Sequence, residues 1–98
     1  MNFKQISVYE AKQLIEVGDI TILDIRDQQS YSAGHICNAI NAEDIDINSF
    51  IIKGDKEKPL LVYCYHGHSS QSAAEHFVEN GFANVYSLDG GYTAWPQG

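Results

Sequence analysis

Cys64 stands at a position where a sulfur atom could be chemically reactive. It follows the apolar run at residues 60–63 and opens the polar loop at residues 64–70, after which apolar residues recur at helical spacing. A strand that passes through a short loop into a helix places the sulfur at the helix N-terminus, where free backbone N–H groups and the helix dipole favour an anion. Thiols so placed have pKa values of about 3.5 to 7.5, against about 8.5 for a free cysteine. We therefore predict that Cys64 is a nucleophilic thiolate.

The alternative for Cys64 is an unreactive cysteine that packs as a small apolar side chain, which is common for free thiols. Residues 65–70 are all polar or glycine, so the surrounding chain favours the reactive interpretation. Cys37 is the opposite case. It lies within residues 34–39 with no helix start behind it, and we interpret it as structural or incidental.

The loop after Cys64 also carries two histidines, His66 and His68, on either side of Gly67. No metal is predicted, because Cys64, His66 and His68 alone make a cramped set of ligands. As imidazolium ions the histidines could add positive charge near the sulfur, although ordinary loop polarity explains them equally well. Gly67 is expected to take a left-handed conformation that lets consecutive amides converge, within a loop at the surface.

Asp24 and Arg26 stand at the end of an earlier β-branched, apolar run, residues 20–25. An acid and an anion clamp are one interpretation of this pair. A structural ion pair or a turn hydrogen bond is the simpler interpretation, and it is the one we favour.

The elements that position these residues alternate between helix and strand patterns. Ser7 and Glu10 form a capping box and Gly18 is a helix stop, so a helix is predicted between them. The other predicted elements are a strand at 20–25, a short helix at 28–33, a small strand at 39–40, the cysteine strand at 60–63, a helix up to 80–81, a strand at 85–88 and a terminal helix bearing Trp95. Helical periodicity is weak at residues 45–52. This alternation predicts an α/β sheet with right-handed crossovers, in which Cys64 lies beyond the carboxyl end of a strand, where such sheets bind ligands.

Length and charge narrow the class of protein. A chain of 98 residues is predicted to form one domain, 1–98, with a core of its own. The net charge of −7 argues against nucleic acid or an anionic membrane surface as a partner, and no apolar run has the length of a membrane span. Residues 1–5 lack the apolar stretch of a signal peptide, and the two cysteines suit a reducing compartment, so a cytoplasmic location is expected.

Four motifs follow one another along nearly the whole chain. They are Leu23-Asp24-Ile25-Arg26-Asp27, then Gly34-His35-Ile36 with Ala39-Ile40-Asn41, then Cys64-Tyr65-His66-Gly67-His68-Ser69-Ser70, and finally Leu88-Asp89-Gly90-Gly91-Tyr92-Thr93-Ala94-Trp95. In this order they resemble the motifs of the rhodanese-like domains, most closely the small single-domain thiosulfate sulfurtransferases of the bacterial glycerol-3-phosphate regulon. The resemblance implies a five-stranded parallel sheet flanked by helices and a persulfide on Cys64. It also implies that loop amides bind the persulfide, which makes Tyr65, His66, Gly67, His68 and Ser69 the substrate-binding residues.

The implied function is transfer of sulfur from thiosulfate to cyanide or to a thiol, with thioredoxin as one such acceptor, without a metal or an organic cofactor. The chain departs from the commonest family loop, in which basic residues follow the cysteine, because Tyr65, His68 and Ser69 stand there. A persulfide carrier or binding module that delivers sulfur to a partner protein is the alternative. A cysteine phosphatase or arsenate reductase of the same fold would need a longer loop closed by an arginine, and Ser70 occupies that place.

Overall fold

A computed structural model describes residues 3–96, and Met1, Asn2, Gln97 and Gly98 lie outside the described residues. The predicted domain 1–98 and the N-terminal segment 1–5 therefore lie partly outside them. The five strands form one parallel sheet in the order β1-β5-β4-β2-β3. Their bounds are β1 Lys4–Ile6, β2 Thr21–Asp24, β3 Ile40–Asn41, β4 Leu60–Tyr63 and β5 Val85–Leu88. The predicted fold class is confirmed: a small α/β domain with a five-stranded parallel sheet and helices.

Among residues 3–96, four α-helices and one 3₁₀ helix connect the strands, and a second 3₁₀ helix follows β5. The α-helices are α1 Val8–Val17, α2 Gln28–Ala33, α3 Ile47–Lys53 and α4 Ser69–Glu79, and the 3₁₀ helices are Ala42–Asp44 and Gly91–Ala94. Side chains alternate across β4, which is fully buried, so that each face of the sheet has its own apolar core. Leu61 and Tyr63 pack on the side that includes Ala11 of α1, whereas Leu60 and Val62 pack with Phe77 of α4. No helix among residues 3–96 combines the length and the apolar character of a membrane span.

The boundaries of α1 follow the sequence signals closely. The Ser7 hydroxyl accepts a hydrogen bond from the Glu10 amide at 3.1 Å, and the Glu10 carboxylate accepts one from the Ser7 amide at 3.0 Å. Gly18 ends the helix in a left-handed conformation with φ of 99°. The predicted helix at 28–33 is also present with those bounds.

Three elements differ from what the local pattern predicts. Strand β1 has no predicted counterpart, because only Ile6 of its three residues is buried and a half-exposed edge strand shows little pattern. Helix α3 forms despite weak periodicity, because the Asp46 side chain caps it and accepts hydrogen bonds from two amides in its first turn. The terminal helix is a 3₁₀ helix that ends before Trp95 rather than including it.

Candidate active site

Cys64 lies directly after β4, and its sulfur is the point on which several hydrogen-bond donors converge. Sγ accepts hydrogen bonds from the amides of Gly67 at 3.2 Å and Ser70 at 3.3 Å. It also lies 3.4 Å from the Ser70 hydroxyl oxygen. The residue is only 7% exposed. A buried sulfur surrounded by donors is an environment for an anion rather than for an inert thiol.

The sulfur takes the place of the capping side chain of α4. His68 occupies the N-cap position, but its side chain makes no capping hydrogen bond. Ser70 is the second residue of the helix, and its amide, one of the free donors of the first turn, points to Cys64 Sγ instead. The predicted placement of Cys64 at a helix N-terminus is therefore present in the structure.

Gly67 shapes the loop in the way its sequence position indicates, but it does not lie at the surface. Its φ of 92° is in the left-handed region, which a glycine adopts at little cost. It is buried against the segment after β5, where an added Cβ would lie 2.8 Å from the Gly90 nitrogen and 3.2 Å from the Leu88 oxygen. The loop lies at the surface as expected, since Tyr65, His66, His68 and Ser69 are exposed, but Gly67 itself is buried because it packs against the residues at the end of β5.

The C-terminal 3₁₀ helix holds the other side of the loop. The Tyr92 amide donates to the Cys64 carbonyl at 2.8 Å, and the Thr93 amide donates to the Tyr65 carbonyl at 3.1 Å. Gly91, with φ of 62°, lies so close to these two carbonyls that a Cβ would collide with them. Two backbone carbonyls are thereby turned toward the 3₁₀ helix, which leaves amides of the loop free to face the sulfur.

Ionisation of Cys64 reflects two opposing effects. Burial, the largest effect, raises the pKa of the thiol, whereas hydrogen bonds from the Ser70 hydroxyl and from the amides of Ser70, Gly67 and His66 lower it. The donors together outweigh burial, so the pKa of Cys64 lies below its ordinary value. The structure thus supports a larger thiolate fraction near neutral pH than a free cysteine has.

Ser70 is the residue that sequence reasoning missed. It contributes both an amide and a hydroxyl to the sulfur and is fully buried, as is Ser87 of β5, whose hydroxyl oxygen lies 2.8 Å from that of Ser70. One signal was available. Ser70 precedes Ala74 and Phe77 by four and seven residues, and that spacing places it on the buried face of α4.

The predicted substrate-binding residues surround the sulfur at different depths. Gly67 is buried, whereas the other four are exposed: Tyr65, His66, His68 and Ser69. Among the described residues, the amides of Tyr65, His68 and Ser69 make no hydrogen bond to Sγ itself. Their predicted role concerns an outer sulfur attached to Cys64, and it stays a prediction.

The Asp24–Arg26 pair lies next to the site, at the carboxyl end of β2. Arg26 donates to Asp24 through Nε and Nη2, with a shortest distance of 2.7 Å, and both residues are buried. Asp24 also accepts from the Tyr63 hydroxyl at 2.7 Å; burial, the largest cause, raises the pKa of that hydroxyl and keeps it protonated. Tyr92 and Tyr65 place their rings over the guanidinium. The favoured interpretation as a structural ion pair agrees with this geometry.

The second cysteine and the histidines form no metal centre in the described part of the chain. Cys37 is exposed in a turn between α2 and β3, and the structure gives it no disulfide partner within residues 3–96. No group of three or more histidine, cysteine, aspartate or glutamate side chains converges there on a common point. Cys64 is thus the described cysteine with donors arranged around it.

The fold and the sulfur-centred loop define a class, and comparison with known proteins gives the same class. The family model for the Rhodanese-like domain matches residues 7–97, and the chain belongs to this family. A solved rhodanese-like domain protein from Staphylococcus aureus superimposes with a TM-score of 0.82 at 26% identity, covering 97% of this chain and 93% of that one. The rhodanese-like domain from Anabaena sp. gives a TM-score of 0.80 at 30% identity, covering 97% and 74%.

Relatives within the family are more similar in sequence. Thiosulfate sulfurtransferase GlpE of Coxiella burnetii is 54% identical over 95 residues, which cover 97% of this chain and 89% of the relative. The protein of the same name from Shewanella oneidensis is 47% identical over 94 residues, covering 96% and 93%. The resemblance seen in the four sequence motifs is confirmed.

Proposed function

We propose that this protein is a thiosulfate sulfurtransferase that carries sulfane sulfur on Cys64. The observation that carries the proposal is the convergence of two amides and one hydroxyl on a single buried sulfur at the carboxyl end of β4. Such donors stabilise an anion that forms there, in the manner of an oxyanion hole. The names of the relatives, which are thiosulfate sulfurtransferases, support the choice of donor.

The reaction is a double displacement. The Cys64 thiolate attacks the outer sulfur of thiosulfate, a new sulfur–sulfur bond forms, and the sulfur–sulfur bond of thiosulfate breaks so that sulfite leaves with its electron pair. Cyanide then attacks the outer sulfur of the persulfide and leaves as thiocyanate, while the electrons of the broken bond return to Cys64 as a thiolate. A thiol acceptor such as thioredoxin would take the sulfur in the same step.

The loop residues have distinct roles in this scheme. The Gly67 and Ser70 amides hold the Cys64 sulfur. We assign the outer sulfur to the amides of the loop from Tyr65 to Ser69, which directly follow Cys64 in the chain. Neither displacement requires a metal or an organic cofactor, because thiosulfate and the acceptor supply all the electrons. The cytoplasm, where thiols stay reduced, is the compartment that suits this chemistry.

The phosphatase alternative does not fit the loop geometry. A transferring phosphoryl group favours bidentate guanidinium contacts, and Ser70 stands where that arginine would be. The Ser70 hydroxyl oxygen instead lies 3.4 Å from the sulfur and 2.8 Å from the Ser87 hydroxyl oxygen.

The test is to incubate the protein with thiosulfate and measure its intact mass. We expect the mass to rise by one sulfur atom in the parent and in Cys37→Ser, and to stay unchanged in Cys64→Ser. Adding cyanide should return the mass to its starting value with one thiocyanate formed per chain. If the persulfide forms but only a protein thiol discharges it, the protein is a persulfide carrier; if no sulfur is added to the parent, the proposed function is wrong.

A further inference from the structure

Ser87 is a polar residue in a place where an apolar one would be expected. It shares its face of β5 with Val85, which belongs to the apolar core against α4, and its neighbour across the ladder is Val62 of β4. Its side chain is fully buried. Burying a hydroxyl is costly unless the group is hydrogen-bonded, so a serine here needs a partner.

The partner is Ser70, and the two hydroxyls form a chain that ends at the sulfur. Ser87 Oγ lies 2.8 Å from Ser70 Oγ, which in turn lies 3.4 Å from Cys64 Sγ. Within residues 3–96 the Ser87 hydroxyl has no other hydrogen-bond partner. The orientation of the two hydroxyl protons therefore depends on the groups at the two ends of this short hydrogen-bond chain, Cys64 and Ser87.

Only one direction satisfies every hydroxyl proton. If Cys64 is a thiol that donates to Ser70, then Ser70 donates to Ser87 and the Ser87 proton is left buried without an acceptor. If Cys64 is a thiolate, Ser87 donates to Ser70, Ser70 donates to the sulfur, and no proton is left over. The same holds for a persulfide whose inner sulfur stays an acceptor.

We propose that Ser87 is a positioning residue, which directs the Ser70 hydroxyl proton at the Cys64 sulfur and so favours its ionised form. The proton that Cys64 loses goes to solvent, and the two hydroxyls only rotate. This inference rests on the proposed function in taking Cys64 as the nucleophile. Its test measures ionisation of Cys64 rather than sulfur transfer, so the two proposals can fail separately.

Other titratable groups must be held constant in the test. Those on the elements around the sulfur include Tyr65, His66 and His68 in the loop, Tyr63 in β4, Asp24 and Arg26 at the end of β2, Glu75, His76 and Glu79 in α4, and Asp89 and Tyr92 after β5. All the variants retain them, so that differences between variants report on the serines. Cys37→Ser is the common background, because it leaves Cys64 as the single thiol.

The experiment is the rate of alkylation by iodoacetamide as a function of pH, whose midpoint gives the pKa of Cys64. We expect Ser70→Ala to raise the midpoint by about one pH unit, a tenfold loss of thiolate below it, since a hydrogen bond to the charged form is removed. Ser87→Ala should raise it by about half a unit in the presence of Ser70. In the Ser70→Ala background, Ser87→Ala should add nothing, because Ser87 acts only through Ser70.

A matched pair separates the hydroxyl from packing. Ser87→Thr keeps a hydroxyl and Ser87→Val removes it at nearly the same size, and β-branched residues suit a strand. We expect Thr to keep the parent midpoint and Val to reproduce that of Ala. The proposal is overturned if Ser87→Ala leaves the midpoint unchanged, if its effect is the same with and without the Ser70 hydroxyl, or if Thr and Val give equal midpoints. Those outcomes would leave persulfide formation by the parent unaffected.

Discussion

Two polar groups lie beyond neighbouring strands of the same sheet, and they are built on opposite principles. In the Asp24–Arg26 pair at the end of β2, the guanidinium and the carboxylate neutralise each other, and the Tyr63 hydroxyl donates a further hydrogen bond to the carboxylate. At Cys64 after β4, donors converge on an atom that becomes a full anion only when it loses a proton. Asp24 and Tyr63, the residue before Cys64, are paired directly across the ladder. One edge of a parallel sheet can therefore carry a closed pair, in which two charges satisfy each other, beside an open group, whose charge no opposite charge neutralises.

The largest expected effect is on activity at the open group. Cys64→Ser should abolish sulfur transfer from thiosulfate to cyanide, because a serine hydroxyl is not ionised at neutral pH, whereas Cys37→Ser should keep most of it. Thiocyanate production is the measurement. Activity that survived in Cys64→Ser would show that Cys64 is not the nucleophile.

The next effect is on stability at the closed pair. Asp24→Asn leaves the buried Arg26 without its carboxylate, and loss of one partner of a buried pair costs about 3 kcal/mol of unfolding free energy. Urea unfolding measures it. Asp27→Asn is the control, since Asp27 is an exposed N-cap and asparagine caps a helix equally well. Equal losses in the two variants would show that Asp24–Arg26 contributes no more than a surface carboxylate.

Local sequence patterns predict much of this site, but they do not predict the contacts that support it from distant parts of the chain. Cys64, the left-handed Gly67 and the capped α1 all come from patterns a few residues long. The contact between Ser70 and Ser87 spans 17 residues, and no local pattern marks a buried serine in a strand as a partner of a distant one. Strand β1 is likewise recognisable only through its pairing with β5 at the other end of the chain. Its presence in the sheet was implied by family resemblance and not by its own three residues.

A smaller effect, on sulfur-transfer activity, is expected from a substitution that changes the backbone conformation at Gly67. Gly67→Ala forces a Cβ against the Gly90 nitrogen at a left-handed φ, so the loop must shift and its amides turn from the sulfur. We expect at least a tenfold loss of sulfur transfer, about 1.4 kcal/mol. Gly81→Ala is a matched control with φ of 98°, where the added carbon would make only ordinary van der Waals contact with the Lys56 side chain, at 3.9 Å. It should lose stability to backbone strain while keeping its activity; parallel activity losses would contradict the account.

Alkylation should distinguish the two cysteines more modestly. Iodoacetamide should modify Cys64 several times faster than Cys37 in native protein near pH 7, because the lowered pKa of Cys64 gives it more thiolate despite its burial. Peptide mapping at partial labelling reports the ratio. Equal labelling, or Cys37 first, would mean that access rather than ionisation decides.

The smallest effect is a pH dependence of stability. The pKa of Cys64 is lowered in the folded protein, so its thiolate adds stability that is fully present above the unfolded-state pKa of about 8.5 and is lost as the pH falls through the folded-state pKa. The unfolding free energy of the parent minus that of Cys64→Ser should therefore rise with pH across this window and level off above it. If this difference in unfolding free energy stayed flat or fell with pH, ionisation of Cys64 would not stabilise the folded protein.

The order in which the chain is made has a consequence for the loop. Its amides are aligned by Tyr92 and Thr93, Gly67 rests on the segment after β5, and β1 pairs with β5. A polypeptide emerging from the ribosome releases Cys64 before it releases these residues. Until then, the contacts that these residues make with the loop cannot form. Alignment of the loop around the sulfur therefore depends on β5 and on the 3₁₀ helix that follows it, the last elements of the described chain to be synthesised.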